Sequence, residues 1–176
     1  MIRIGSDYRL VMEWGSREYG DGLSRIFHLA TRICKGRGID VGCSFFQDNK
    51  NPIPGSLPVD IALPSTGTAT NLSQYATGEF DFVFSSHALE HVGEPWLAVQ
   101  ESWRVLKSGG VYFLYLPFPG HKDWDPSICE GARGIHLWQP TPGTVSRLLL
   151  LNGFAVDYCE YEQDDFGGFV VLGTKR

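Results

Sequence analysis

The chain has 176 residues, 43% hydrophobic and 20% charged, with a formal net charge of −5. That is enough for one domain to bury a core without disulfide or metal staples, and it excludes an intrinsically disordered chain. The negative balance argues against nucleic acid or any partner gripped mainly through phosphates. No apolar run approaches the ~18 residues of a membrane span, and Met1-Ile2-Arg3-Ile4 does not open a charged-then-apolar signal sequence. No membrane partner is expected, and a cytoplasmic location is. Cys34, Cys43, Cys129 and Cys159 show neither C-x-x-C pairing nor zinc-site spacing and read as reduced thiols.

Residues 1–20 have no period, and Trp14-Gly15 and Tyr19-Gly20 interrupt any long element, so an irregular N-terminal arm is expected. Asp21 is placed to cap a helix running to about Cys34, with Leu23, Ile26, Phe27, Ala30 and Ile33 on one face and Gly36 stopping it. Gly38-Ile39-Asp40-Val41 then reads as a short buried strand cut off at Gly42-Cys43. In a parallel sheet the edge beyond such a strand end is where ligands bind. From Ser44 to Gly55 two prolines leave no room for a crossover helix, so a loop must bring the chain back. Leu57-Pro58-Val59-Asp60-Ile61 repeats the pattern of an apolar strand closing on a carboxylate, which in a nucleotide-binding unit accepts from ribose hydroxyls. Strands ending in Asp and Gly also occur in proteins that bind no nucleotide.

Pro64 to Thr68 forms a second loop leading to a short extended piece, Ala69-Thr70-Asn71-Leu72. Phe80-Asp81-Phe82-Val83-Phe84 has the β-branched and aromatic content of a central strand and ends at Ser85-Ser86-His87. Glu94-Pro95 opens a helix to about Leu106, ended by Ser108-Gly109-Gly110, and Val111 to Leu116 is the next strand, stopped by Pro117-Phe118-Pro119-Gly120. The aromatic, polar segment 121–139 suits a substrate loop. Thr141-Pro142 caps a helix to Leu151, and Phe154 to Glu160 and Gly168 to Thr174 close the chain as a hairpin around the acidic turn Asp164-Asp165-Phe166-Gly167. Strands alternating with helices before a hairpin imply a single α/β domain over 1–176, its sheet largely parallel with an antiparallel edge.

Four runs in order carry a family resemblance: Ile39-Asp40-Val41-Gly42-Cys43, Pro58-Val59-Asp60-Ile61, Phe80 to Val92 with its Leu89-Glu90-His91 ending, and Arg104-Val105-Leu106-Lys107-Ser108-Gly109-Gly110. Together they resemble a class I S-adenosylmethionine-dependent methyltransferase of the compact type in which a Pro-Gly loop joins the first two strands. The resemblance implies a Rossmann-like sheet of seven strands in the order 3-2-1-4-5-7-6 and S-adenosyl-L-methionine as cofactor. Carried over, it puts the methionine end of the cofactor against Asp40, Gly42, Cys43 and Ser44, the ribose on Asp60 beside Ile61, the adenine between Asn71 and Leu72, and the sulfonium over Ser85 to His87. Where relatives read Gly-Cys-Gly-x-Gly, this chain has Gly42-Cys43-Ser44-Phe45-Phe46. The alternative function is therefore a catalytically inactive methyltransferase-fold binding or partner subunit.

If the methyl acceptor is a hydroxyl, a base must take its proton, and histidine is matched to that task at neutral pH. The candidates are His87 and His121, with Asp123 or Asp125 as the carboxylate that orients the ring; His28, within the first helix, reads as structural. His87-Ala88-Leu89-Glu90-His91 also fits the H-x-x-E-H pattern of a metalloprotease class. It follows a buried strand in a methyltransferase order of motifs, so no protease and no metal centre is expected. An ion held by His87, Glu90 and His91 beside methyltransferase chemistry is the minor reading. Trp124 and Trp138 are read either as a stacking wall over the acceptor or as packing. No Asn-Pro-Pro-Tyr run follows the central strand, and the acceptor expected is a small molecule or saccharide.

Overall fold

The sheet forms because its central strands are apolar on both faces. In the computed structural model, which describes residues 21–43 and 53–176, Gly38–Val41 (β1), Ser56–Val59 (β2), Phe80–Ser86 (β3), Leu106–Pro117 (β4), Phe154–Cys159 (β5) and Gly168–Lys175 (β6) join in the order β2-β1-β3-β4-β6-β5. The first four strands are parallel neighbours, and β6 runs antiparallel to both β4 and β5. This is the expected Rossmann-like class. The arm expected over residues 1–20, and Ser44, Phe45 and Phe46 of the first motif, lie outside the described residues.

Alternate side chains of each central strand feed two cores, as the two-residue period of a strand requires. Phe82, Phe84, Phe113, Tyr115, Val170 and Leu172 pack with Ile26, Ala30 and Cys34 beside Asp21–Ile33 (α1). Val83, Tyr112, Leu114, Leu116, Phe169 and Val171 pack on the opposite face with Ala98, Val99 and Val105 of Pro95–Val105 (α2) and Val145 and Leu149 of Pro142–Leu151 (α3). Both latter helices start at a proline, whose missing N–H has no helical partner to lose at that position. Thr141 and Thr144 add a capping box to α3. Among the described residues no helix is long and apolar enough to cross a membrane.

Two sequence expectations are corrected. β4 begins at Leu106 rather than Val111, because Lys107 to Gly110 bulge out of the ladder while Phe80 pairs Leu106 and Phe82 pairs Val111 on either side. The outermost, seventh strand is not formed among the described residues. The segment Ala69 to Leu72 makes a single Thr68 to Asn71 bridge, and its backbone groups are taken up by a helix instead. Glu101 Oε2 accepts from Leu72 N at 2.8 Å, and Arg104 donates to the carbonyls of Leu72 and Tyr75, each at 2.9 Å. Arg104 is itself held by both Glu101 oxygens at 2.8 and 2.9 Å.

That cluster ties the loop after β2 to α2. Its groups are partly exposed, so solvent screening discounts the ion pair, and the backbone hydrogen bonds carry most of the effect. Arg104→Ala should destabilise the protein by about 1–2 kcal/mol, and the amides of residues 68–76 should exchange faster while those of β3 and β4 do not. Urea unfolding and hydrogen exchange measure both effects.

Candidate active site

β1 and β2 stop side by side, Val41 paired with Val59, and the residues at and beyond those ends build an open rim. Gly42 turns the chain with φ +80° and donates its N–H to the Val59 carbonyl at 2.8 Å. A Cβ on Gly42 would lie 2.1 Å from the Ala88 methyl, so only glycine lets the segment after β3 close on this turn.

Asp40 is 2% exposed, and its carboxyl is pushed up to about 7, first by burial and then by the charge of Asp60. Asp60 sits one residue past β2, where its Oδ1 accepts from Ala62 N at 2.9 Å and its own N–H donates to Thr66 Oγ1 at 3.1 Å. Beside it Ile61 is 84% exposed, an apolar side chain left in solvent at the rim. The Cys43 thiol is buried and pushed up to about 12 by burial, with Asp40 and Asp60 adding to the effect. It is a wall rather than a nucleophile.

Asn71 and Leu72 part company. Asn71 is exposed, its Oδ1 accepting from Ser73 N at 3.2 Å, and it borders a cavity of about 470 Å³ between this loop and α2. Leu72 is fully buried, and its N–H already has the Glu101 carboxylate.

The third wall is the end of β3. Ser85 is buried, and His87 has φ +48°, which no other non-glycine residue among those described shares. Positive φ in a residue with a Cβ is strained, and such strain gathers at functional sites. His87 N donates to the Tyr115 carbonyl at 2.9 Å, and the ring lies 5.2 Å from that of Tyr115 and 5.1 Å from that of Trp124. Its Nδ1 is 3.5 Å from Glu90 Oε1, and its Nε2 is buried without a hydrogen-bond partner among the described residues.

Segment 121–139 folds down as turns. Asp125 accepts from Gly120 N, Ser127 N and Ser127 Oγ at 2.7, 2.8 and 2.5 Å, bonds that hold its carboxyl below the usual range and fix it as a turn residue. Trp138 donates to the Leu89 carbonyl at 2.8 Å and packs against the core. His121 stacks on Trp124 at 6.3 Å and presses on Gly167 of the β5–β6 turn, so the two candidate bases flank one indole. Asp123 is exposed, its Oδ2 4.0 Å from His121 Nδ1, which accepts from Asp123 N at 3.3 Å.

The geometry also gathers a group that periodicity did not reveal. The ligand atoms of Glu90, His91 and His136 all lie within 4.8 Å of one another. His91 and Glu90 were visible in the H-x-x-E-H run. His136 reaches them only through the turns of 121–139, which leave no period to read.

The rim tests well against S-adenosylmethionine. A carboxyl whose ionisation is opposed first by burial and then by a second carboxylate is relieved by a cation, the turn at Gly42 has no Cβ, and the exposed Ile61 suits the face of a heterocycle. Leu72, with its N–H already engaged, has only its carbonyl side and its place in the loop to offer.

The methyltransferase domain family model matches residues 23–114. No curated protein matches the sequence. Among solved structures, an S-adenosylmethionine-dependent methyltransferase from Mesorhizobium loti superposes with TM-score 0.63 at 15% identity, over 90% of this chain and 100% of that one. The Burkholderia thailandensis 1,6-didemethyltoxoflavin-N1-methyltransferase, solved with 1,6-didemethyltoxoflavin and S-adenosylhomocysteine, gives TM-score 0.60 at 13% identity over 84% and 76%. A chain from the complex between the Trm112 methyltransferase activator and a methyltransferase of Haloferax volcanii gives 0.60 at 13% over 83% and 87%. At such identities these likenesses are of fold, whereas the family model spans just over half of the sequence and falls on the strands that build the rim. By that match the chain belongs to the class I S-adenosylmethionine-dependent methyltransferase domain family.

Proposed function

We propose that the protein methylates a hydroxyl of a small-molecule or saccharide acceptor, with S-adenosylmethionine as the methyl donor. The observation that carries this reading is the Asp40 and Asp60 pair at the rim. Bound there, the cofactor supplies an electrophilic methyl group on a sulfonium. Asp40 and the Gly42 turn hold the ammonium of its amino-acid end, Asp60 accepts from the ribose, and Ile61 covers the adenine. Holding nucleophile and methyl group in line is worth several kcal/mol of barrier.

His87 is the base in this reading. Its buried Nε2 has no hydrogen-bond partner among the described residues, and Glu90 Oε1, 3.5 Å from Nδ1, is the carboxylate beside the other nitrogen of the ring. His121 and Asp123 lie across Trp124 and shape the acceptor side. The Ser127 and Gly120 bonds on Asp125 leave it a structural part. The four free cysteines support a cytoplasmic location as part of the proposal. A second reading, an inactive subunit that serves a partner, draws on the Ser44 and Phe46 departures from the glycine-rich motif and on the neighbour that was solved with an activator.

Three outcomes check these roles. Titration calorimetry should show S-adenosylmethionine and S-adenosylhomocysteine binding to the wild type, and Asp60→Ala should weaken both by about one to two powers of ten, the worth of a charge-assisted hydrogen bond. No binding at millimolar cofactor selects the inactive subunit.

Asp40 makes a stability prediction of definite sign. Between its ordinary value of 3.8 and about 7 the folded carboxyl keeps a proton that the unfolded chain has released. Stability of the cofactor-free protein is therefore lost as pH rises through that window and levels off above it. Asp40→Asn should gain on the wild type by on the order of 1–4 kcal/mol between pH 4 and pH 8, read as the difference between paired urea unfolding curves, while losing cofactor affinity.

With an acceptor in hand, His87→Ala should lower kcat by roughly 10²–10⁴ and leave the cofactor Kd within threefold. A parallel loss of cofactor binding would assign His87 to the pocket instead.

A further inference from the structure

We propose that Glu90, His91 and His136 bind a divalent transition-metal ion of the zinc, manganese, iron and cobalt class. Glu90 lies in the single turn Leu89–His91 and is 0% exposed, yet both of its carboxylate oxygens are buried without a hydrogen-bond donor among the described residues. Taking a carboxylate out of water and giving it no donor is among the most costly arrangements in a protein interior. A bound cation offsets that cost. Two imidazole nitrogens, His87 Nδ1 at 3.5 Å and His91 Nε2 at 3.8 Å from Oε1, stand too far off for good hydrogen bonds.

The imidazoles are arranged as metal ligands are. His91 Nδ1 is 3.0 Å from the Ile135 carbonyl, and donating its proton there leaves the lone pair on Nε2, the nitrogen facing Glu90. A second hydrogen bond that fixes ring and tautomer is the usual support of a metal-bound histidine. His136 is held to the backbone of Trp124, and its Nδ1 is buried with no partner. Glu90, His91 and His136, from two segments, thus each bring a ligand atom to within 4.8 Å of the other two. Ligands ~2.1 Å from an ion sit ~3.4 Å apart in a tetrahedral site, so side-chain rotations closing the 4.8 Å group by up to ~1.4 Å complete it.

The scaffold under the group is already fastened. Leu137 N donates to the Glu90 carbonyl and Trp138 Nε1 to the Leu89 carbonyl, both at 2.8 Å, locking the segment that carries His136 onto the turn that carries the other two. His91 is 38% exposed, which gives an ion a way in. Two imidazoles and one carboxylate suit those metals and leave coordination positions open. The role of the ion rests on the methyl-transfer reading: it would hold a hydroxyl acceptor by its oxygen and ease loss of the proton, selecting acceptors that chelate through a neighbouring oxygen, such as vicinal diols.

The test uses the whole chain, stripped with chelator and dialysed against Zn²⁺ or Co²⁺, with elemental analysis and the visible spectrum of the Co²⁺ form. One equivalent should be retained, with a visible band from nitrogen and oxygen ligation. Glu90→Gln and His136→Ala should each lower affinity by roughly 100-fold or more, while His28→Ala, on the exposed side of α1, should not change it. Circular dichroism checks that each variant is folded. If one is not, an anomalous difference map from Zn²⁺-soaked wild-type crystals decides by the position of its peak among the three side chains.

Failure of either ion to bind stoichiometrically, undiminished uptake by the two ligand variants, or an anomalous peak elsewhere overturns the proposal. Cofactor titration of the same preparations reports separately, because metal uptake without cofactor binding sinks the methyltransferase reading and leaves the metal site standing. Cofactor binding without metal uptake does the reverse.

Discussion

A carboxyl that has almost no water around it, next to another that has some, sets the terms for the rest of this molecule. Asp40 sits on a strand whose four residues are all buried, in a sheet covered on both faces, and Asp60 lies at the neighbouring strand end. Left to itself the pair costs stability as pH rises from about 4 to about 7, and the cost stays in full above that. Such an arrangement is tolerable where the surrounding core is strong and a cationic ligand relieves the strain on binding. The two aromatic-rich cores flanking β3 and β4 provide the first condition, and the family's sulfonium cofactor matches the second.

The opposite wall of the site repeats the theme with different groups. β3 ends in a strained His87 above a buried Glu90 that has no donor, and segment 121–139 is pinned down over both by hydrogen bonds to Leu89 and Glu90. The one strained non-glycine residue among those described and most of the buried polar atoms without a partner gather at the end of β3 and in segment 121–139, with Trp103 of α2 and Ser146 of α3 as outlying cases. Regions that break local rules in this way are where function is expected. A cation for Glu90 would complete this wall as the cofactor completes the first.

Most of the architecture was readable because the chemistry that makes it is local. Proline at the first turn marks α2 and α3, the β-branched and aromatic runs mark β3, β4 and β6, and the strand ends at Gly42 and Asp60 mark the rim. What could not be read depended on partners distant in sequence. The glycine run after α2 looked like a stop, yet β3 pairs on both sides of it and turns it into a bulge. The piece from Ala69 to Leu72 read as a short extended piece, and Arg104 and Glu101, some thirty positions on, take backbone groups at its end. Asp125 read as a candidate orienting carboxylate until Gly120 and Ser127 engaged it. His136 was silent because only the turns of 121–139 bring it to Glu90.

The central claim is that the rim made by β1 and β2 holds an adenosyl cofactor through its two carboxylates. A crystal structure of the protein grown with S-adenosylhomocysteine tests it most directly. The account predicts ribose hydroxyls within hydrogen-bond distance of Asp60 and the amino-acid end of the ligand against Asp40 and the Gly42 turn. Density for the ligand elsewhere, or a rim left empty at saturating ligand, would contradict it.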